Sequence, residues 1–137
     1  MREFLFKAKR IDNGEWVEGY YQKRKDAFEN DEHLIFRYES YHTWEYIKVD
    51  PETICQYTGL TDKNGNKIWE NDILQIPDDW DNYGFTAGKK YQVFFGYGGF
   101  RLKPKNPKFK GFWLDDVEET EVIGNIFDNP ELLKAGV

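Results

Sequence analysis

The stretch Gln56–Leu74, QYTGLTDKNGNKIWENDIL, decides how the chain is read. Asn64-Gly65 lies between two segments of strand character. Asn-Gly is a strong hairpin signal because a type I′ turn needs positive φ at both central residues. Before the turn, Tyr57 and Leu60 flank Gly59. After it, Ile68 and Trp69 run into Glu70-Asn71-Asp72, and then into Ile73, Leu74 and Ile76. Glu-Asn-Asp ahead of an apolar run predicts a sharp bend that re-aims the chain. Asn71 suits a left-handed conformation there, and Asp72 suits an Asx-type turn that accepts backbone amides. Gly59, Asn64, Gly65, Asn71 and Asp72 thus form the structural motif on which the neighbouring strands depend.

Outward from that motif the pattern stays the same. In the first residues Phe4, Phe6 and Ala8 alternate, and Asn13-Gly14 signals a turn. Then Trp16, Glu18 and Tyr20 fall on one side of a strand and Val17, Gly19 and Tyr21 on the other. Residues 32–49 predict a second hairpin turning at Glu39-Ser40-Tyr41. A three-residue loop there sets Leu34, Phe36 and Tyr38 opposite Tyr46, Trp44 and His42. Asp50-Pro51 predicts one helical turn, with Asp50 as cap and Pro51 at the first position. A third hairpin is expected from Lys90–Phe95 and Phe100–Lys103 around Gly96-Tyr97-Gly98-Gly99. A last strand is centred on Val122 and Ile123, and Asn129-Pro130-Glu131 caps a short terminal helix. The expectation is an all-β fold of mainly antiparallel strands in small barrel-like or curved sheets, with short helical turns near 50–55 and 129–134. A length of 137 residues suits one domain, with an N-terminal hairpin lobe over 1–55 and a C-terminal barrel-like lobe over 56–137.

Composition narrows the function classes. Aromatic residues make up 18% of the chain, which favours strands over helices. A single cysteine, Cys55, excludes an internal disulfide framework. The opening MREFLFKAKR carries charges where a signal peptide needs an apolar core, and no apolar run approaches the ~20 residues of a membrane span. A soluble, cytoplasmic protein with no membrane partner is expected. The net charge of −6 argues against a wholly basic nucleic-acid binder and leaves local patches open.

Three segments carry a family resemblance: Asp50-Pro51-Glu52-Thr53 with Gln56-Tyr57-Thr58-Gly59-Leu60; Asp62-Lys63-Asn64-Gly65 through Ile68-Trp69-Glu70-Asn71-Asp72-Ile73; and the tail from Val122-Ile123-Gly124-Asn125 to Asn129-Pro130-Glu131-Leu132-Leu133. Phe6-Lys7-Ala8 with Trp16-Val17 also fits. Together they resemble the YopX family of phage and prophage proteins. The family commonly has Tyr-Glu-Gly-Asp where this chain has Trp69-Glu70-Asn71-Asp72, and Asn is the next best residue for such a turn. The resemblance implies a phage or prophage origin and a mostly β fold. It carries no established activity, so no functional residue comes with it.

The residues themselves show no catalytic constellation. No nucleophile-elbow, phosphate-loop or dinucleotide fingerprint is present. His33, His42 and Cys55 lack the spacing of a zinc site, which needs about four converging ligands, so neither a metal nor a cofactor is expected. The acidic loop around Asp79 fails the EF-hand pattern at Tyr83 and Lys90. Between Asn82 and Leu114 there is no Asp or Glu, but there are Lys89, Lys90, Arg101, Lys103, Lys105, Lys108 and Lys110. If Phe95 pairs with Phe100, then Lys90, Gln92, Phe94, Arg101 and Lys103 share one face. Basic residues interleaved with an aromatic resemble a single-strand binding surface, with Lys90, Phe94, Arg101 and Lys103 as its candidate residues. The competing reading is a tightly packed hairpin whose lysines are neutralised by the acidic run Asp115–Glu121. Three functions follow in order: a non-enzymatic accessory protein acting by protein binding or self-association, a nucleic-acid-binding module using residues 89–110, and a metal-dependent hydrolase using the acidic runs.

Overall fold

The computed structural model describes residues 4–40, 43–77, 90–103, 112–114 and 117–133. They divide into two compact units, Met1–Tyr57 and Thr58–Val137. Among the described residues, strands account for nearly all the regular structure, and the helical pieces are 3-10 turns at Pro51–Thr53, Val117–Glu119 and Pro130–Leu133. The fold is all-β and antiparallel.

The first unit holds β1 (Phe6–Lys9), β2 (Trp16–Lys25), β3 (Asp31–Ser40) and β4 (Thr43–Lys48), in spatial order β4-β3-β2-β1. β5 (Cys55–Thr61) then pairs with β1 through Phe6↔Gln56 and Lys7↔Cys55. Alternation decides the inside. Ala8, Val17, Ile35, Ile47 and Val49 are buried together, with Phe6, Tyr21 and Ile54 packed against them. Gly19 lies on this inner side because a Cβ there would collide with the Phe36 carbonyl oxygen and crowd the Ile35 side chain. Only glycine lets β2 approach β3 at that point. The sheet curls until Arg10 meets Val49 in a single bridge. Asp50 fixes the corner that follows: its carboxylate accepts the Glu52 amide at 3.0 Å, and its backbone N–H donates to the Lys9 carbonyl at 2.8 Å.

The β3–β4 register differs from the sequence expectation. Phe36 pairs with Tyr46 and Tyr38 with Trp44, and Ser40 reaches Thr43 after an irregularity between Tyr38 and Ser40. The strands therefore run closer to their connection than a three-residue loop allows. The slip is two positions, so each residue keeps its face.

The second unit holds the rest of β5, β6 (Lys67–Trp69), β7 (Asp72–Gln75), β8 (Lys90–Gly96), β9 (Gly99–Leu102), β10 (Phe112–Trp113) and β11 (Glu121–Asn125). Five of these form an open sheet in the order β10-β9-β8-β7-β11. Its core is Ile68, Leu74, Ile76, Tyr91, Val93, Phe100, Leu102 and Leu114. The barrel-like lobe expected over 56–137 is corrected: among the described residues no barrel closes, because the outer strands β10 and β11 each pair on one side only.

The central turn also differs in type. Gly65 has φ of 81°, but Asn64 does not share the positive φ that a type I′ turn demands. Instead Gly65 donates to the Asp62 carbonyl at 3.0 Å and Asp62 donates to Asn66 at 2.9 Å. This is a type I turn closed by a left-handed glycine, a common three-residue hairpin. The Asp62 side chain selects it, since its Oδ1 accepts from both the Asn64 and the Asn66 amides at 2.9 Å.

Candidate functional site

In the second unit the motif residues act as internal connectors. Asp62 is buried, and its other oxygen, Oδ2, accepts the Val122 amide at 2.9 Å, which ties the turn to β11. Burial works to raise the Asp62 pKa. The amides of Val122, Asn66 and Asn64 outweigh it and hold the carboxyl below its ordinary value. Asn71 has φ of 73°, the left-handed conformation expected of it. Its N–H donates to the Val93 carbonyl at 2.8 Å and its carbonyl accepts from Ile126 at 3.1 Å, so the bend joins β8 to the end of β11. Asp72 is buried and accepts the Trp69 amide at 2.8 Å. Gly59 has φ of 87°. Asp62 and Asp72 are buried and hydrogen-bonded and Asn71 is half-buried, while Gly59, Asn64 and Gly65 are exposed.

The basic hairpin has the register expected of it: Phe95 pairs with Phe100, and Phe94 with Arg101. Its candidate residues do not form a free surface. Arg101 is 7% exposed, and its guanidinium donates to the carbonyls of Gly96 at 3.1 Å and Tyr97 at 3.4 Å while lying over the Tyr97 ring. It clamps the turn in which Tyr97 holds a φ of 51°. The Phe94 ring folds back onto Gly96, where an added Cβ would be 2.8 Å from it. Gln92 donates to Asn71 at 3.2 Å. Lys90 is half-buried opposite Gln75, and Lys103 alone of the four is exposed. Lys89, Lys105, Lys108, Lys110, Asp115 and Asp116 lie outside the described residues, as does His42. Glu121 on β11 does not neighbour β8; it pairs with Lys63 at 3.4 Å.

The first unit presents the opposite arrangement. Cross-strand partners share a face, so the registers place Trp16, Tyr20, Phe36, Tyr38, Trp44 and Tyr46 together on the outer side. Phe36 sits in the middle, with ring centroids 5.5 Å from Tyr20, 5.7 Å from Trp44 and 5.6 Å from Tyr46. Tyr38 stands edge-on to Trp44 at 5.4 Å. Tyr20, Tyr38, Trp44 and Tyr46 remain 47–53% exposed. Around the rings lie Lys7 and Lys9, both over Trp16, and Arg24 over Tyr46. Arg24 and Lys48 also pair with Glu32, at 3.1 and 3.2 Å. On this face, Lys7, Lys9, Arg24 and Lys48 stand against only Glu18 and Glu32. The alternation that places these rings was legible in the sequence. What it did not show was which side faces out, because both sides carry aromatics. The aliphatic set Ile35, Ile47 and Val49 is the signal that settles it.

Neither remaining candidate builds a reactive site. Cys55 is buried and its thiol donates to the Thr53 carbonyl at 3.2 Å. His33 meets the Tyr21 hydroxyl at 2.6 Å and stacks on its ring. Among the described residues no three His, Cys, Asp or Glu side chains converge as a metal site, and no helix is long and apolar enough to cross a membrane.

The profile of the YopX protein family matches residues 5–134, nearly the whole chain. The chain belongs to the YopX family. Among solved structures it is similar to protein EF1440 from Enterococcus faecalis, with 27% identity, 98% of this chain and 100% of that chain covered, and a TM-score of 0.56. No curated protein matches it. In this YopX chain the buried carboxylates of Asp62 and Asp72 hold the turns, and the outer aromatic face stays half exposed.

Proposed function

We propose that this protein works by binding rather than catalysis, and that it holds a protein partner on the aromatic outer face of its first unit. The supporting observation is the continuity of the rings from Tyr20 through Phe36 to Trp44, Tyr38 and Tyr46, half exposed on a backing of paired strands. Exposed Tyr and Trp on a rigid support supply large contact area at low entropic cost, and such residues dominate binding hot spots. Phage or prophage origin and action in the host cytoplasm belong to the same proposal, resting on the family resemblance.

A photo-crosslinking residue introduced at Tyr20 tests it in cells producing the full chain. A covalent adduct with a protein, lost when Trp44 is also replaced by Ser, supports the proposal. The cations around the rings favour one other reading, single-stranded nucleic acid stacked on the same face, and an adduct digested by nuclease identifies it. No adduct of either kind ends both.

A further inference from the structure

The strand that carries Trp44 and Tyr46 is also an edge. β4 stands at one end of the strand order, with β3 as its neighbour on one side. Backbone polar groups alternate along a strand, so one bond fixes the direction of all. The Val49 N–H donates to the His33 carbonyl on β3 at 3.0 Å, so Ile47, Glu45 and Thr43 point toward β3. Lys48, Tyr46 and Trp44 point away from it. The Lys48 carbonyl confirms this, because it accepts from Ile11, a residue outside β3, at 3.1 Å. Trp44 and Tyr46 then carry N–H and C=O groups that no residue among those described satisfies. β4 contains no proline, and the irregularity in its ladder with β3 lies beyond Trp44, between Tyr38 and Ser40.

We infer that β4 pairs antiparallel with β4 of a second copy, with Trp44 opposite Tyr46 of the other chain and Glu45 opposite its own counterpart. This deepens the protein-binding proposal by naming the partner. Three observations select it. The exposed backbone groups belong to two residues spaced two apart, so a twofold axis through Glu45 lets each Trp44 exchange both of its bonds with the other copy's Tyr46. A register centred on Tyr46 instead needs the Lys48 carbonyl, which Ile11 already uses. The like charges brought together at Glu45 are each neutralised by Arg37, whose Nε donates to Glu45 at 3.0 Å. Trp44 and Tyr46 both lie on the outer side, so the pairing also brings their rings together across the axis and joins two aromatic patches into one. An extended segment of a different protein would satisfy the same edge, but it would not need this twofold spacing.

Light scattering on the full chain gives twice the mass of one chain if the inference holds. Tyr46→Pro removes an outward N–H and no β3–β4 bond, so the variant keeps its circular-dichroism spectrum and becomes a monomer. Tyr46→Thr keeps the N–H and remains a dimer that dissociates more readily than the parent. Hydrogen exchange on the unaltered protein is independent of any variant's folding: the Trp44 and Tyr46 amides are protected, and dilution to the monomer releases them. A single-chain mass at hundreds of micromolar overturns the inference. So does a dimer whose Trp44 and Tyr46 amides exchange freely. A monomer that still yields a Tyr20 adduct with another protein removes the second copy as partner and leaves the binding face standing.

Discussion

Two hairpins in this molecule are rich in aromatic and basic residues, and they put them to opposite uses. In the β8–β9 hairpin, Arg101 bonds the carbonyls of its own turn and Phe94 covers Gly96. In the β3–β4 hairpin, Tyr38, Trp44 and Tyr46 pack side by side and stay half exposed. Composition does not distinguish them. The difference is where the backbone leaves unmet hydrogen-bonding groups. The tight turn at Gly96–Gly99 leaves carbonyls that a guanidinium can reach, whereas the paired strands β2, β3 and β4 leave none on their faces. A charged residue beside a tight turn therefore serves the fold, whereas rings on the outer face of these paired strands stay half exposed.

The comparison extends to the motif residues, which give the largest expected effect. Replacing Asp62 by Ala leaves the Asn64, Asn66 and Val122 amides without their acceptor and should cost roughly 3 kcal/mol in chemical denaturation. Its pH dependence has a definite sign. The folded pKa is lowered, so the stabilisation is complete above the unfolded value of about 3.9 and is lost as pH falls through the folded one. The gap between the parent and Asp62→Asn should narrow in that acid window, and a gap that widens there would contradict the assignment. Asn71→Val forces a β-branched residue into positive φ and should cost about 1–3 kcal/mol, with Asn71→Gly costing less.

Next comes the hairpin clamp. Arg101→Ala should lower stability by about 1–2 kcal/mol and leave retention on single-stranded DNA unchanged. A large loss of retention with intact stability would restore the basic hairpin as a nucleic-acid surface and break the contrast between the two hairpins. The smallest effect on folding belongs to the outer face. Tyr20→Ser should change stability by under about 1 kcal/mol, yet weaken partner capture more than Asp62→Ala, Asn71→Val or Arg101→Ala does. If it unfolds the protein instead, the aromatic face is a core that the exposure values understate.

Most of the fold was legible because period-2 alternation and turn chemistry are local signals. Phe95 opposite Phe100 follows from the turn at Gly96–Gly99, and Asn71 before Asp72 announces a left-handed bend. Two of the corrections share one cause. The turn type at Asn64-Gly65 and the slip at Tyr38–Ser40 depend on which distant or side-chain groups meet the backbone there. Asp62 captures two amides and changes the turn. The aromatic face was visible as a list of alternating residues. It was not visible as a surface until the rings of Tyr20, Trp44 and Tyr46 were seen around Phe36.

The bond from Asp62 to the Val122 amide spans sixty residues. On a ribosome, the central turn therefore waits for almost the whole polypeptide to be synthesised before its carboxylate has every donor it will hold. Until then the carboxylate has local donors only, and β7 lacks the strand that will flank it at β11. A nascent chain halted before Val122 would carry a finished first unit and an unlatched second one, a state open to proteolysis and to any chaperone that attends emerging chains.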